Sequence, residues 1–250
     1  MRKQENQSNG NVLQIGNERI FGKKQIGKGK VLAEVFDMQI FDKDYHDMIM
    51  IDEFSDDMIN LAMKYLENEG NKQSRCLYFQ VQFKQFLYLE NSNIEPDILN
   101  LKKMIPRFID NIFDNLDYLG FPFQQTNKMI THFTLVDFRK KSCVTYQLID
   151  NSQKNNYYQS QGKKFGDKVY TFLQQFHRNK LLRELDFRNW SNEQSQQCFQ
   201  SASERQGSNI MLSMMNLITQ KNTNFKVITD SYVVATKQKI SNFISQNKKK

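Results

Sequence analysis

Cysteine is scarce in this chain. Three residues, Cys76, Cys143 and Cys198, stand far apart among 250, with no C-x-x-C pair. An odd, scattered set of thiols argues for a reducing compartment and against a zinc site. Histidine is equally rare, at His46, His132 and His177. No run of about 18 apolar residues occurs, so nothing reads as a membrane span. The opening MRKQENQSNGN has no apolar core, and no signal peptide is expected there. No serine stands in a G-x-S-x-G elbow, and no cysteine has the sequence context of a nucleophile. The expectation from these absences is a chain that is not an enzyme, with no cofactor and no metal.

What is present is a foldable chain. Hydrophobic residues make up 39% and aromatics 12%, with 20 phenylalanines. That is too apolar for a disordered chain, and the length suits one large domain or two small ones. Alanine is rare while Asn and Gln are abundant and dispersed, a bias read as compositional drift before function.

Charge is unevenly placed on a chain of net charge +8. Asp37, Asp42, Asp44, Asp47, Asp52, Glu53, Asp56 and Asp57 crowd one stretch against Lys43 alone. Bases dominate from Arg139 to Arg188, and seven lysines against Asp230 occupy the last thirty residues. An acidic front and a basic back suggest charged partners. The protein-interface candidates are Asp42, Asp44, Tyr45, Asp47, Asp52 and Glu53. Arg139, Lys140, Lys141, Lys163, Lys164, Arg178 and Lys180 are the nucleic-acid-binding candidates, interleaved with Tyr157, Tyr158, Tyr170, Phe172 and Phe176. Single-strand binders combine a basic groove with aromatic stacking platforms. The plainer reading keeps the aromatics in the core and the lysines as solubilising charge.

Two other motifs are weighed. Gly22 to Gly29 spells a near P-loop, but Gly29 replaces the magnesium-binding Ser or Thr, and a strand follows where a helix is needed. Asp42, Asp44, His46, Asp47 and Asp52 are metal ligands by type. Their stretch lacks the glycine and terminal glutamate of an EF-hand, so a solvated acidic loop is expected.

Periodicity gives the elements. Residues 30–41 read as a strand, 41–47 as a polar loop, and 55–70 as a helix capped by Ser55 and stopped by Gly70. A half-buried strand is expected from Cys76, bulged near Gln85, then a helix over 101–119 interrupted by Pro106 and ended by Gly120-Phe121-Pro122. Two hairpins follow, residues 129–150 with lysines at the tip and residues 169–187 turning at 177–180. A polar loop separates them up to Gly166. Residues 210–218 and 237–243 read as helices. The domain reading is 1–20 disordered, 21–192 an OB-like α+β domain, and 193–250 a linker with a basic helical segment.

The fold class expected is α+β, an OB-like small β-barrel with inserted and flanking helices. MITHFTLVDFRKKSCVTYQLIDN and VYTFLQQFHRNKLLRELDF resemble the early strands and later hairpin of OB domains in the middle subunit of replication protein A. The Arg75-Cys76-Leu77 strand after a helix is similar to the shelterin OB subunit that recruits telomerase. With the Asn/Gln/Lys-rich composition, the chain resembles OB-fold telomere and telomerase accessory proteins. That resemblance implies a non-catalytic nuclear adaptor bridging the reverse transcriptase to telomeric single-strand-binding subunits. Its partners would be protein subunits of a ribonucleoprotein or single-strand DNA-binding complex, with single-stranded nucleic acid alongside and no membrane. The alternatives are a single-stranded nucleic-acid-binding protein in its own right and a structural subunit of a cytoskeletal or mitochondrial assembly.

Overall fold

The computed structural model describes residues 29–70, 75–81, 116–124, 129–148, 155–178, 189–195, 199 and 206–248. Strands β1 (Val31–Val35) and β2 (Met38–Phe41) form a separate two-stranded hairpin. Helices α1 (Asp42–Ile51) and α2 (Asp56–Gly70) follow. The main sheet runs in the order β3 (Cys76–Tyr78), β4 (Tyr118–Gln124), β5 (Ile130–Asp137), β6 (Ser142–Gln147) and β7 (Ser191–Gln194). Its outer pairs, β3–β4 and β6–β7, are parallel and its inner pairs are antiparallel. Helix α3 (Asn155–Arg178) lies between β6 and β7 in the chain, and α4 (Gly207–Thr219) and α5 (Asp230–Gln246) close it.

The expected barrel is therefore overturned. The five strands form an open mixed sheet, and β1 belongs to another sheet, so the strands cannot close on one another. Both faces of the open sheet are covered instead. On one face Phe133 and Leu135 of β5 join a core with α2, α4, α5 and the β1–β2 hairpin. On the other, Phe79 stacks on Phe121 at 4.3 Å between centroids, and Phe172 of α3 meets both rings edge-on. A sheet buried on both sides reads as a near-continuous apolar run, which is what Tyr118–Phe123 and Ile130–Val136 show.

Several elements differ from the sequence expectation, each for a local reason. Residues 30–41 are not one strand: Phe36 and Asp37 both have positive φ (54° and 62°) and reverse the chain. A two-residue hairpin of that geometry usually shows Asn-Gly, so Phe-Asp hid it. The stretch from Asp42, expected as a loop, is helix α1. Its opening acids suit the positive end of the helix dipole. The helix expected over 101–119 does not extend to Leu119, because Tyr118–Gln124 is a strand. Pro122 is tolerated there. The Gly120 carbonyl faces β3, accepting from Phe79 N at 2.9 Å, and alternation puts Pro122 on that edge beyond the last β3 rung.

The largest correction is α3. Residues 155–166 were expected as a loop and 169–176 as a strand, yet all are helical. Tyr158, Phe165, Val169, Phe172 and Leu173 recur at helical spacing and are buried. Gly162 and Gly166, read as loop residues, sit one turn apart on the face toward the sheet. A Cβ at Gly162 would lie 2.6 Å from His132 Cδ2, and one at Gly166 would strike Thr145 Oγ1. They let a helix pack close to the strands.

Other expectations held in place. Ser55 caps α2, its Oγ accepting from Met58 N at 3.3 Å. The 129–150 hairpin is β5–β6, with its turn set by Asp137, whose Oδ1 accepts from Arg139 N and Lys140 N at 3.0 Å each. The P-loop-like stretch up to residue 28, the strand beyond 81, residues 101–115 of the expected helix and the hairpin arm 181–187 lie outside the described residues.

Candidate functional site

The acidic interface candidates are brought together, though not as a loop. Asp42, Asp44, Tyr45 and Asp47 lie on α1, Asp52 ends it in the left-handed region (φ 57°), and Glu53 follows. Tyr45 OH hydrogen-bonds Ser241 Oγ (2.8 Å) and Ser245 Oγ (3.0 Å) of α5. Those bonds and the Lys248 ammonium draw its phenol pKa down against burial. Lys237 Nζ pairs with Asp52 Oδ1 and donates to Ile49 O at 3.1 Å. Among the described residues no group of His, Cys, Asp and Glu is placed to hold a metal.

The basic candidates are split. Arg139, Lys140 and Lys141 sit at the β5–β6 turn. The Arg139 guanidinium lies 4.7 Å over the Tyr118 ring, and Lys140 Nζ donates to Thr223 Oγ1 at 3.0 Å. Lys163 and Lys164 are exposed on α3 and Arg178 ends it, while Lys180 lies outside the described residues. Among the described side chains, Tyr158 and Phe172 are buried beneath α3 rather than lining a groove with them and Tyr157 is exposed, while the side chain of Phe176 lies outside the described residues.

Nucleophilic chemistry needs a thiol or hydroxyl beside a base. Cys76 and Cys143 are 1% and 0% exposed. Burial, with the Asp167 carboxylate adding to it, pushes the Cys143 thiol up to about 12, so it stays protonated. His132 is also sealed in; desolvation lowers it to about 4, against a backbone contact at Tyr158 that raises it. The register separates these groups. Cys143 pairs with Val136 and His132 with Gln147, about 13 Å apart along the strand. His46 is exposed on α1 and cannot meet a sealed thiol. The side chain of His177 and all of Cys198 lie outside the described residues. Among the described residues, then, no thiol meets an imidazole.

A helix N-terminus is where a reactive thiol is usually activated. The N-terminus of α4 is buried where the start of β5 and the end of β6 converge. Gly207 lies so close to Ile130 that an added Cβ would collide with its carbonyl oxygen, and Leu148 Cβ would be 3.9 Å away. Ile130 and Leu148 are fully buried. Ser208 and Asn209 follow, and Asn209 Nδ2 donates to Asp52 Oδ1 at 3.3 Å. This junction was not singled out in the sequence. Its signal was a glycine immediately ahead of an apolar helix.

This arrangement, a mixed open sheet with a long helix on one face and a buried helix on the other, is similar to the fold of solved SUMO protease domains. The particular likeness is to Ulp1. The chain superposes on the C-terminal Ulp1 protease domain, solved in complex with Smt3, the yeast ortholog of SUMO, with a TM-score of 0.64 and 13% identity, covering 89% of this chain and 90% of that one. It matches the SUMO protease Ulp1 with its catalytic cysteine oxidised to a sulfenic acid at TM-score 0.63 and 14% identity, covering 86% and 88%. A de-sumoylating protease matches at TM-score 0.58 and 12% identity, covering 86% and 90%. No family profile matches the sequence, and no curated protein matches it.

These likenesses overturn the OB-fold resemblance, and with it the telomerase adaptor, the single-strand nucleic-acid-binding alternative and the cytoskeletal or mitochondrial alternative. They also correct the expectation of a chain that is not an enzyme. That expectation rested on missing linear motifs, whereas reactive groups of a cysteine protease are adjacent in space rather than in sequence.

Proposed function

We propose that this chain is a SUMO-protease-like domain that engages a ubiquitin-like modifier protein. One observation carries the reading: the fold likeness spans about nine tenths of both chains, at 89% and 90%, so the whole domain is shared rather than a common sheet motif. The partner expected is therefore a folded protein, and the bond at stake is the peptide or isopeptide bond at the end of its tail.

Hydrolysis by a thiol in this chain has one residue left to use. Cys76 and Cys143 are buried, and burial holds the Cys143 thiol protonated, which leaves Cys198, one residue before Phe199, which is 6% exposed in the core beside α2 and α4. The test is a SUMO protein carrying a thiol-reactive group in place of its C-terminal carboxylate. The expected result is a covalent adduct that Cys198→Ser abolishes and Cys143→Ser leaves intact. Stable binding without an adduct would keep modifier recognition and remove Cys198 hydrolysis. No binding to SUMO or to ubiquitin would overturn the reading.

A further inference from the structure

The seam between α1 and α5 holds a feature that the protease-like reading does not use. Two adjoining cavities, about 370 and 330 Å³, share Ile49 and Ser241 in their linings and form one groove. Its apolar lining is open to solvent: Ile49 is 37%, Met50 65% and Val234 61% exposed. Scattered exposed hydrophobics are ordinary, but a contiguous apolar groove between two helices marks an interaction surface. Its walls are held in place, because Tyr45 bonds Ser241 and Ser245 across the seam and Lys237 pairs with Asp52.

The charge of this groove opposes that of the chain. Asp42, Asp52 and Asp230 line it against Lys237, which Asp52 engages, while the Lys248 ammonium stands 4.9 Å over the Tyr45 ring of its lining. Asp42 and Asp230 are exposed. The chain as a whole carries a net charge of +8. An apolar trough rimmed by acids accepts an apolar side bearing cations at its edges, as helix-in-groove recognition does. We infer that the α1–α5 groove docks a basic amphipathic segment of a partner protein, its apolar residues against Ile49, Met50 and Val234 and its lysines or arginines beside Asp42 and Asp230.

Global and local charge predict opposite preferences, and that makes the test sharp. The probes are two synthetic amphipathic peptides of equal length, one built from Leu and Lys and one from Leu and Glu, titrated against the full chain. The expected result is binding of the Leu/Lys peptide, weakened by salt, and lowered about tenfold or more by Met50→Lys and by Val234→Lys. Both positions are exposed, so each variant should melt at the wild-type temperature. Preference for the Leu/Glu peptide, absence of binding to either, or Leu/Lys binding that both variants leave unchanged would overturn the proposal. So would a dimer that Met50→Lys converts to monomer, since the groove would then belong to a second copy.

Discussion

His132 is kept neutral by the sheet around it, and this has a consequence for stability against acid. Its Nδ1 lies 3.0 Å from Thr131 Oγ1, and its ring sits edge-on to Phe123 under Gly162. In the folded chain it titrates at about 4, against an ordinary value of 6.5. Above pH 6.5 neither state binds the proton, so the full stability is present. As the pH falls from 6.5 toward 4, the unfolded chain takes up a proton that the folded chain refuses, and stability falls. The loss approaches about 3 kcal/mol below pH 4. Denaturant melts between pH 7 and 4 should show this decline, and His132→Leu should flatten it. The two described thiols make a second prediction at this scale. Cys76 and Cys143 should resist alkylation in the native state at pH 8 and react only on unfolding, read by mass spectrometry of the labelled peptides. Labelling of Cys143 in the folded chain would contradict its sealed position in β6.

At the scale of elements, two junctions position the candidate site. Ser55 starts α2 by accepting from Met58 N, while Ile59 N donates to the Ser55 carbonyl at 2.9 Å. Ser55→Ala should cost about 1 kcal/mol in chemical denaturation without changing the fold. The start of α4 is less forgiving. Gly207 sits against the Ile130 backbone, and backbone cannot move aside as a flexible side chain can. Gly207→Ala should lower stability by about 2 kcal/mol or more, because β5 or α4 must shift. A variant as stable as the parent would show that the helix end is not seated on β5. Elements also show where sequence patterns misled. Ser55 and the Asp137 turn were legible because capping and turn chemistry are local. The β1–β2 reversal at Phe36-Asp37 and the glycine face of α3 were not. In both cases a neighbouring strand, rather than the local sequence, dictates the conformation.

For the molecule as a whole, the chain end is structural. Every residue of α4 is buried, and Met211, Met214, Met215 and Ile218 join Met58, Ile59 and Leu61 of α2 in one core with Ile240 and Ile244 of α5. Truncation after residue 206 should therefore leave a chain without a cooperative thermal transition, by calorimetry or circular dichroism. A truncated chain that melts cooperatively would show that the sheet and α3 stand alone. The same architecture separates the charged regions. Asp42 of α1 and Asp52 at its end line the seam with α5, the Arg139–Lys141 turn sits at the end of the sheet, and Lys163 and Lys164 are exposed on α3.

The sequence by itself determined the local chemistry: the capped α2, the β5–β6 hairpin, the apolar α4, the acidic stretch that α1 carries and the absence of any contiguous catalytic motif. Each depends on residues within a few positions of one another. What only the tertiary structure decided was the sheet order, the identity of α3 as a helix, the sealing of Cys76, Cys143 and His132, and the meeting of Gly207 with Ile130. The parallel pairs β3–β4 and β6–β7 join residues some 40 or more positions apart. No local propensity specifies such a pairing; it follows from burying both faces of one sheet at once. That long-range burial made an open, helix-covered sheet from a chain whose short strands read equally well as a barrel.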